Sequence, residues 1–365
     1  MNQSKCQDAA IAFSGVEQHA DKLHITPVKG GLINYSCLVR ADAKPSFILQ
    51  LINKNVFKSP EAVQQNYLHI WRHASQQQDG IKLPAPISFQ EGRFLFIDTE
   101  DNYWRACEFI EESFSPAIAV KPIQAKATAE VFAQFTATFQ GLDISAIAIV
   151  IPDFHNLAFR FEQFTRALLA SDDVRKNNVQ ALSQELLSRT SYRDFYNQII
   201  SSPEDFPKRV MHHDAKIGNV LFDKETGKVI CPVDFDTVMP GYFFSDLGDM
   251  IRSMACNHDE HYKESAAIKI RPDYYEAIVS GYLSVMNDHL TKAEKQHIHF
   301  AGILMIYMQA LRFLGDYLNG DIYYQTDYPG QNIDRAANQL SLLRELENYL
   351  HENHKKEAAS YLPAK

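Results

Sequence analysis

No two cysteines in this chain stand in a C-x-x-C spacing, and the total of five is odd. A disulfide framework or a zinc ribbon is therefore not expected, and a reducing compartment fits. There is no G-x-x-x-x-G-K-[ST] loop, which sets aside the P-loop enzymes, and no G-x-S-x-G elbow, which argues against an α/β-hydrolase. Basic runs with interleaved aromatics are missing too. Lys and Arg number 36 against 45 Asp and Glu, a net charge of −9, which argues against nucleic acid as a partner. Long apolar runs are scarce. The longest, Ala301 to Leu314, contains Gln309 and Arg312 and reads as a buried helix, not a membrane span. The patch Ala9 to Phe13 is too short, and too weakly basic in front, for a signal peptide. The expectation is a cytoplasmic protein with no membrane partner; its oligomeric state is not readable.

What is present is ordinary for a globular chain: 365 residues, 45% apolar and 22% charged, enough for two domains or lobes. No repeat or low-complexity run interrupts it. The first hundred residues read as strand-rich with one helix. Ile25–Val28, Tyr35–Arg40, Ser46–Ile52 and Trp104–Ile110 are strand candidates, with a turn at Lys29-Gly30-Gly31 and a hairpin around Glu91-Gly92. Ser59-Pro60-Glu61 opens a helix running toward His73. Beyond about residue 115, helical spacing dominates: 125–140, 159–169, 179–190, 274–283, 294–319 and 332–351. The expected division is an N-terminal lobe 1–107, a connector 108–114 and a larger helical lobe 115–365.

One β island interrupts the helical part. Asn219 to Asp223 and Val229 to Asp234 flank the turn Lys224-Glu225-Thr226-Gly227-Lys228, a hairpin signal. If Asp223 faces Val229, Asn219 lies beside Val233, so Asn219 and Asp234 emerge at the open end together. Just before stands His212-His213-Asp214 with Asn219 five residues on, an H-x-D-x-x-x-x-N pattern, and Asp234-Phe235-Asp236 follows the hairpin. Phosphoryl transfer needs this set: a carboxylate to take the hydroxyl proton, and an Asn and an Asp to hold Mg²⁺ against the phosphates. Singly, such residues are more often solvated turn residues; the ordered set around a hairpin is specific.

Residues 211–253 resemble the catalytic segment of the aminoglycoside phosphotransferase and choline kinase superfamily. Within it the chain is most similar to the N-acetylhexosamine 1-kinase branch, on the turn Lys29 to Ser36, the stretch Phe47 to Phe57, Tyr103 to Ile110, His212 to Asp223, Val233 to Gly241, Asp246 to Arg252 and Arg312 to Asp321. The resemblance implies an α+β, protein-kinase-like two-lobe fold with a small antiparallel-sheet lobe and a larger, mostly helical lobe. It implies a kinase with ATP as co-substrate and Mg²⁺ as cofactor, acting on a small-molecule hydroxyl, foremost the anomeric hydroxyl of an N-acetylhexosamine. It makes Asp214 the catalytic base, Asn219 and Asp234 the metal ligands, and Asp236 a helper at the metal or the acceptor. His212 and Asp246 would brace the catalytic loop. Gly30, Gly31, Gln50 and the connector Glu108, Phe109 and Ile110 would meet the nucleotide; Asn34, Arg312, Asp316 and Tyr323 would meet the acceptor.

One departure stands out: the family's small-lobe phosphate lysine is replaced by Gln50. Lys54 and Lys58 lie downstream. An amino alcohol or aminoglycoside kinase, and a nucleotide-binding protein with weak or no transfer, are the competing readings. Arg312 and Asp316 stand at the i, i+4 spacing of a helix salt bridge, so that pairing competes with a role in the acceptor pocket. Asp249 and Arg252 are expected to pair locally, His258 and His261 to sit in a solvated loop, Trp71 and Trp104 in the core, and Glu345 to Glu357 on a solvated helix face.

Overall fold

A computed structural model describes residues 3–15, 23–28, 33–41, 45–78 and 80–362. The turn glycines Gly30 and Gly31 lie outside these. The chain forms two compact units: residues 1–115, 138–152 and 219–240 in the first, and 116–137, 153–218 and 241–365 in the second.

In the first unit, β1 (Leu23–Pro27), β2 (Tyr35–Ala41), β3 (Phe47–Leu51), β4 (Pro86–Ile87), β5 (Phe96–Ile97) and β6 (Tyr103–Glu108) make an antiparallel sheet ordered β1-β2-β3-β6-β4, with β5 also on β6. The strand period decides its two faces. Cys37 and Val39, Phe47 and Leu49, Trp104 and Ala106 alternate onto a buried face, covered by Cys6, Ala9, Ala10 and Phe13 of α1 (Gln3–Ser14). The thiols of Cys6 and Cys37 lie 3.0 Å apart there. On the other face, Ser36 pairs with Gln50 and Gln50 with Arg105 as cross-strand neighbours. The expected turn at Glu91-Gly92 is present, with φ of 57° and 80°, but β4 and β5 each pair with β6 and not with one another.

Helix α2 (Pro60–Ser75) begins where expected, with Ser59 accepting the Ala62 amide and Pro at its first turn. Its buried stripe is Val63, Tyr67, Ile70 and Ala74. Asn66 ties this helix to Ala148 and to the Val238 carbonyl through bonds of 2.8–2.9 Å. A second, small sheet joins β7 (Ser113–Phe114), β9 (Val220–Asp223) and β10 (Val229–Pro232) in the order β10-β9-β7.

The second unit is helical apart from β8 (Arg209–Met211) and the end of β11 (Met239–Gly241). Its helices are α3 (Pro122–Thr138), α4 (Leu157–Ala170), α5 (Asp173–Asn178), α6 (Gln180–Leu187), α7 (Thr190–Ile200), α8 (Phe244–Met254), α9 (Pro272–Met286), α10 (Lys292–Gln296), α11 (Phe300–Leu318), α12 (Gln331–Asn353) and α13 (Lys355–Ala358). The apolar run after residue 300 is buried on all sides except at Arg312, as a helix packed against α4, α8 and α12 must be. The expected single helix 294–319 is two helices. A capping box, Thr291 with Glu294, closes α10 at its own start, and Glu294 also takes a bidentate ion pair from Arg209. Helices α8 and α11 approach most closely at Gly248, where a Cβ would stand 2.3 Å from the Ala301 carbonyl oxygen. No described helix is long and apolar enough to cross a membrane.

Candidate active site

The hairpin β9–β10 mounts the two expected metal ligands. Pro232 faces Val220, and the Val233 amide donates 2.9 Å to the Asn219 carbonyl. The expected register therefore holds at the open end, bringing the Asn219 and Asp234 backbones together. A bulge between Val229 and Cys231 shifts the closed end by one residue, so Val229 faces Phe222 and not Asp223. Asp223 instead folds the turn, accepting the amide and hydroxyl of Thr226 at 2.7 Å each, while Gly227 supplies a φ of 67°. Asp234 is exposed and left-handed, with φ 67°. Two hard oxygen donors on one rigid mount suit Mg²⁺, which completes its shell with phosphate oxygens and water.

Asp236, two residues on, has a different environment. It is 3% exposed and accepts from both Arg105 and Asn34. Arg105 is itself buried and holds Gln50 Oε1 through Nε at 3.0 Å, while Gln50 Nε2 donates 3.1 Å to Ser36. Asn34 Oδ1 receives the Asn53 amide at 2.9 Å. Gln50, Asn34 and Asp236 thus belong to one polar network around Arg105, a residue that sequence reasoning passed over. The cross-strand register would have revealed it, because Arg105 is the direct neighbour of Gln50. Lys54 pairs with Asp101 at the surface, at 2.6 Å.

At the connector, the Glu108 amide donates to the Ala85 carbonyl at 2.8 Å and its carboxylate accepts the Ala85 amide at 3.1 Å. Arg40 lies 6.0 Å from the Phe109 ring, and the Ile110 carbonyl accepts from the Ser113 hydroxyl at 2.6 Å.

The expected catalytic loop, His212 to Gly218, is in the second unit. Asp246, at the start of α8, is wholly buried and accepts the backbone amides of His212 and His213 at 2.9 and 2.7 Å. Burial pushes its carboxyl up to about 7 against the pull of those two amides. His212 is fully buried between Phe132 and Phe135, ring centroids 5.0 and 5.6 Å away. His213 has φ 64°; its Nδ1 lies 2.7 Å from the Ser245 hydroxyl and 3.2 Å from His155 Nδ1. His155 is held neutral by burial and by its cationic neighbours. This His–Ser–His group carries no motif, and only the fold assembles it. Asp214 follows, with 30% of its side chain exposed and Lys216 Nζ at 2.8 Å. Asp249 and Arg252 pair as expected, and Arg252 also holds Glu260 at 2.7 Å.

Three of the four expected acceptor residues, Arg312, Asp316 and Tyr323, line a cavity of about 460 Å³ walled by α4, α11 and residues 323–324, with Arg160 and Tyr324 also in its lining; the fourth, Asn34, lies in the first unit on Asp236. Arg312 does not pair with Asp316. It donates 3.1 Å to Gln309 and lies 5.5–5.7 Å from the rings of Phe154, Tyr323 and Tyr324. The carboxylate of Asp316 accepts the backbone amides of Ile322, Tyr323 and Tyr324 at 2.8–3.1 Å and the Asn332 amide group at 3.0 Å. It folds the loop that carries Tyr323 and Tyr324. Tyr323 is exposed; Tyr328 bonds Asp334 at 2.8 Å.

Elsewhere, His258 stacks on Tyr262 with centroids 3.7 Å apart, and His261 faces Arg335 at 3.2 Å. No group of three or more His, Cys, Asp or Glu suited to a metal occurs among the described residues. The face Glu345–Glu357 is not uniformly solvated: Glu347 is buried and takes Arg189 at 2.7 and 2.9 Å and Tyr192 at 2.7 Å.

Residues 24–286 match the family model described as the phosphotransferase enzyme family, APH. A microcompartment-associated aminopropanol kinase is 17% identical, with 99% of each chain covered and a TM-score of 0.62. An aminoglycoside phosphotransferase from Alicyclobacillus acidocaldarius is 12% identical over 93% of each chain, TM-score 0.63. A choline kinase from Cryptosporidium parvum is 13% identical over 98% of each, TM-score 0.56. These likenesses establish the protein-kinase-like fold. The family match spans most of the chain and with it the H-x-D-x-x-x-x-N segment: the chain belongs to the APH phosphotransferase enzyme family and is a phosphotransferase with an alcohol group as acceptor.

Proposed function

We propose that the chain is an ATP- and Mg²⁺-dependent sugar kinase, with the anomeric hydroxyl of an N-acetylhexosamine as the group phosphorylated. The observation that carries the acceptor class is the cavity around Arg312. A cationic acceptor such as an amino alcohol or an aminoglycoside needs carboxylates facing it. Here Arg160 and Arg312 supply positive charge, and the one acid in the lining, Asp316, is engaged by three backbone amides and Asn332. Guanidinium and tyrosine groups bind hydroxyls and an amide carbonyl by donation, and the aromatic faces of Tyr323 and Tyr324 suit a sugar ring.

In this reading Asp214 takes the proton of the acceptor hydroxyl. Asn219 and Asp234 would hold Mg²⁺, which when bound would supply positive charge to the transferring phosphoryl group. Glu108, Phe109, Ile110, Gly30 and Gly31 serve the nucleotide, and Gln50 serves it through Arg105. A coupled ADP-release assay over N-acetylglucosamine, N-acetylgalactosamine, plain hexoses, choline, ethanolamine and an aminoglycoside tests this, with Asp214→Asn as the blank. Turnover on an N-acetylhexosamine, lost in Asp214→Asn while nucleotide still binds, is the expected result. Turnover confined to the amines, or near-normal turnover in the variant, overturns it.

A further inference from the structure

We infer that Arg160 and Arg312 form an anion subsite, so that the preferred acceptor carries a carboxylate or phosphate group in addition to the hydroxyl that is phosphorylated. This rests on the reading of their cavity as the acceptor pocket.

Of the three arginines that line the cavity, Arg160 and Arg312 are not within 4.0 Å of a carboxylate oxygen among the described residues. Arg160 donates from Nη1 to Gln163 Oε1 at 2.7 Å and from Nε and Nη2 to the Phe154 carbonyl at 3.4 and 3.3 Å. Arg312 donates to Gln309 at 3.1 Å. Every one of these partners is neutral. A third arginine in the lining, Arg166, has its own acid, Glu162, at 3.5 Å. Four little-exposed arginines elsewhere have acids, Arg105 with Asp236, Arg189 with Glu347, Arg209 with Glu294 and Arg252 with Asp249, while Arg335, 6% exposed, holds Asn332 and the Gln325 carbonyl. In this cavity Arg160 and Arg312 have no acid, and burial, followed by repulsion from Arg312, lowers the Arg160 guanidinium to about 10. Asp316 is committed to its loop, and Asp153 is exposed and beyond ion-pair distance. An anion placed between the two forks relieves the repulsion and gains charge-assisted, potentially bidentate hydrogen bonds.

Position supports the assignment. Arg312 lies 5.5 Å from the Phe154 ring. Phe154 stacks on His155 with centroids 4.4 Å apart, and His155 touches His213, the residue before Asp214. One aromatic layer therefore separates the anion subsite from the catalytic loop within the same unit. An acceptor whose hydroxyl meets Asp214 would extend its far side toward the arginines.

The test is calorimetric titration of the full chain, with its nucleotide site saturated by a non-hydrolysable ATP analogue and Mg²⁺. The probes are matched pairs: N-acetylglucosamine against its 6-phosphate, glucose against glucuronic acid, and inorganic phosphate alone. The charged member of at least one pair is expected to bind on the order of tenfold tighter or more at low salt. That ratio should fall toward one in Arg160→Gln and in Arg312→Gln, survive in part in Arg160→Lys, and shrink as salt rises. The two pairs also separate phosphate from carboxylate. Circular dichroism and melting temperature of each variant establish that it folds. Equal binding within both pairs by the parent chain overturns the subsite, as does a preference that survives both glutamine substitutions. If no sugar binds but inorganic phosphate does, with both arginines required, the subsite stands and the sugar-kinase reading fails. If phosphate too is not bound, the subsite fails.

Discussion

Removing one partner of the Arg105–Asp236 pair should cost the first unit most of its stability margin. Both side chains are 3% exposed, and Asp236 takes its hydrogen bonds from Arg105 and Asn34. Arg105→Met would leave a buried carboxylate with the neutral Asn34 amide as its chief donor, and would strip Gln50 Oε1 of its partner. An uncompensated buried charge of this kind costs about 3–5 kcal/mol. Asp236→Leu should cost a similar amount by stranding the guanidinium. The double variant Arg105→Met/Asp236→Leu removes both charges and should recover most of the loss, since a buried pair contributes little beyond an apolar replacement of similar volume. The chain has two tryptophans, Trp71 and Trp104, and both lie in the first unit. Trp104 is fully buried, next to Arg105 in sequence. Urea unfolding followed by tryptophan fluorescence therefore reports on the unit where the pair sits. The reasoning is refuted if Arg105→Met costs less than about 1 kcal/mol, or if the double variant is no more stable than the weaker single one.

Three further outcomes follow from the site. Asp246→Ala leaves two buried amides without their acceptor, roughly 1–3 kcal/mol each, and should lower both stability and turnover. Because the folded-state carboxyl of Asp246 is raised to about 7 from a reference of 3.8, its contribution is fully present below about pH 4. It declines as pH rises toward about 7 and is flat above that. Asp246→Asn should remove this slope from urea midpoints measured between pH 5 and 8, and an unchanged slope would count against it. Gly248→Ala places a Cβ 2.3 Å from the Ala301 carbonyl oxygen and the Met305 side chain. Pushing α8 from α11 should cost about 1–3 kcal/mol or more, seen as a lower melting temperature by far-UV circular dichroism. Asp234→Asn should raise the Mg²⁺ concentration needed for half-maximal turnover at saturating ATP; an unaltered metal requirement removes Asp234 from the metal's shell.

Elements dictated by local periodicity could be read from the sequence; partners dictated by register or by loop closure could not. The alternation Cys37–Val39, Phe47–Leu49 and Trp104–Ala106 marks strands because each pair points to one buried face. The hairpin's open-end register followed from turn length alone, and the bulge after Val229 was invisible because one extra residue there leaves the apolar pattern intact. Arg105 escaped notice because a residue's cross-strand neighbour is set by strand pairing, which no local window contains. Arg312 and Asp316 have the spacing of a helix ion pair, yet Asp316 closes on the amides of residues 322–324 instead. The loop that follows α11 turns its backbone amides toward Asp316, and they take its carboxylate in place of the guanidinium one turn back. Glu347 looks like a surface acid in a charge-mixed segment until α12 packs it against Arg189 and Tyr192.

The acids of the catalytic segment are sorted by what already holds them. Asp246 is fully buried and occupied by two amides; Asp236 is 3% exposed and occupied by Arg105 and Asn34. To bind a metal, Asp236 would have to give up a charge-assisted bond inside the protein, at a cost of about 1.5–3 kcal/mol before any gain from the ion. Asp234 is instead exposed, on a left-handed turn at the open end of a rigid hairpin. Asp214 has 30% of its side chain exposed and a flexible-stemmed lysine, Lys216, as its neighbour. The proposed role of Asp214, receiving a proton from an incoming hydroxyl, needs that access. These four aspartates therefore divide into two that are buried in the frame and two that reach solvent, and the fold's burial makes the division.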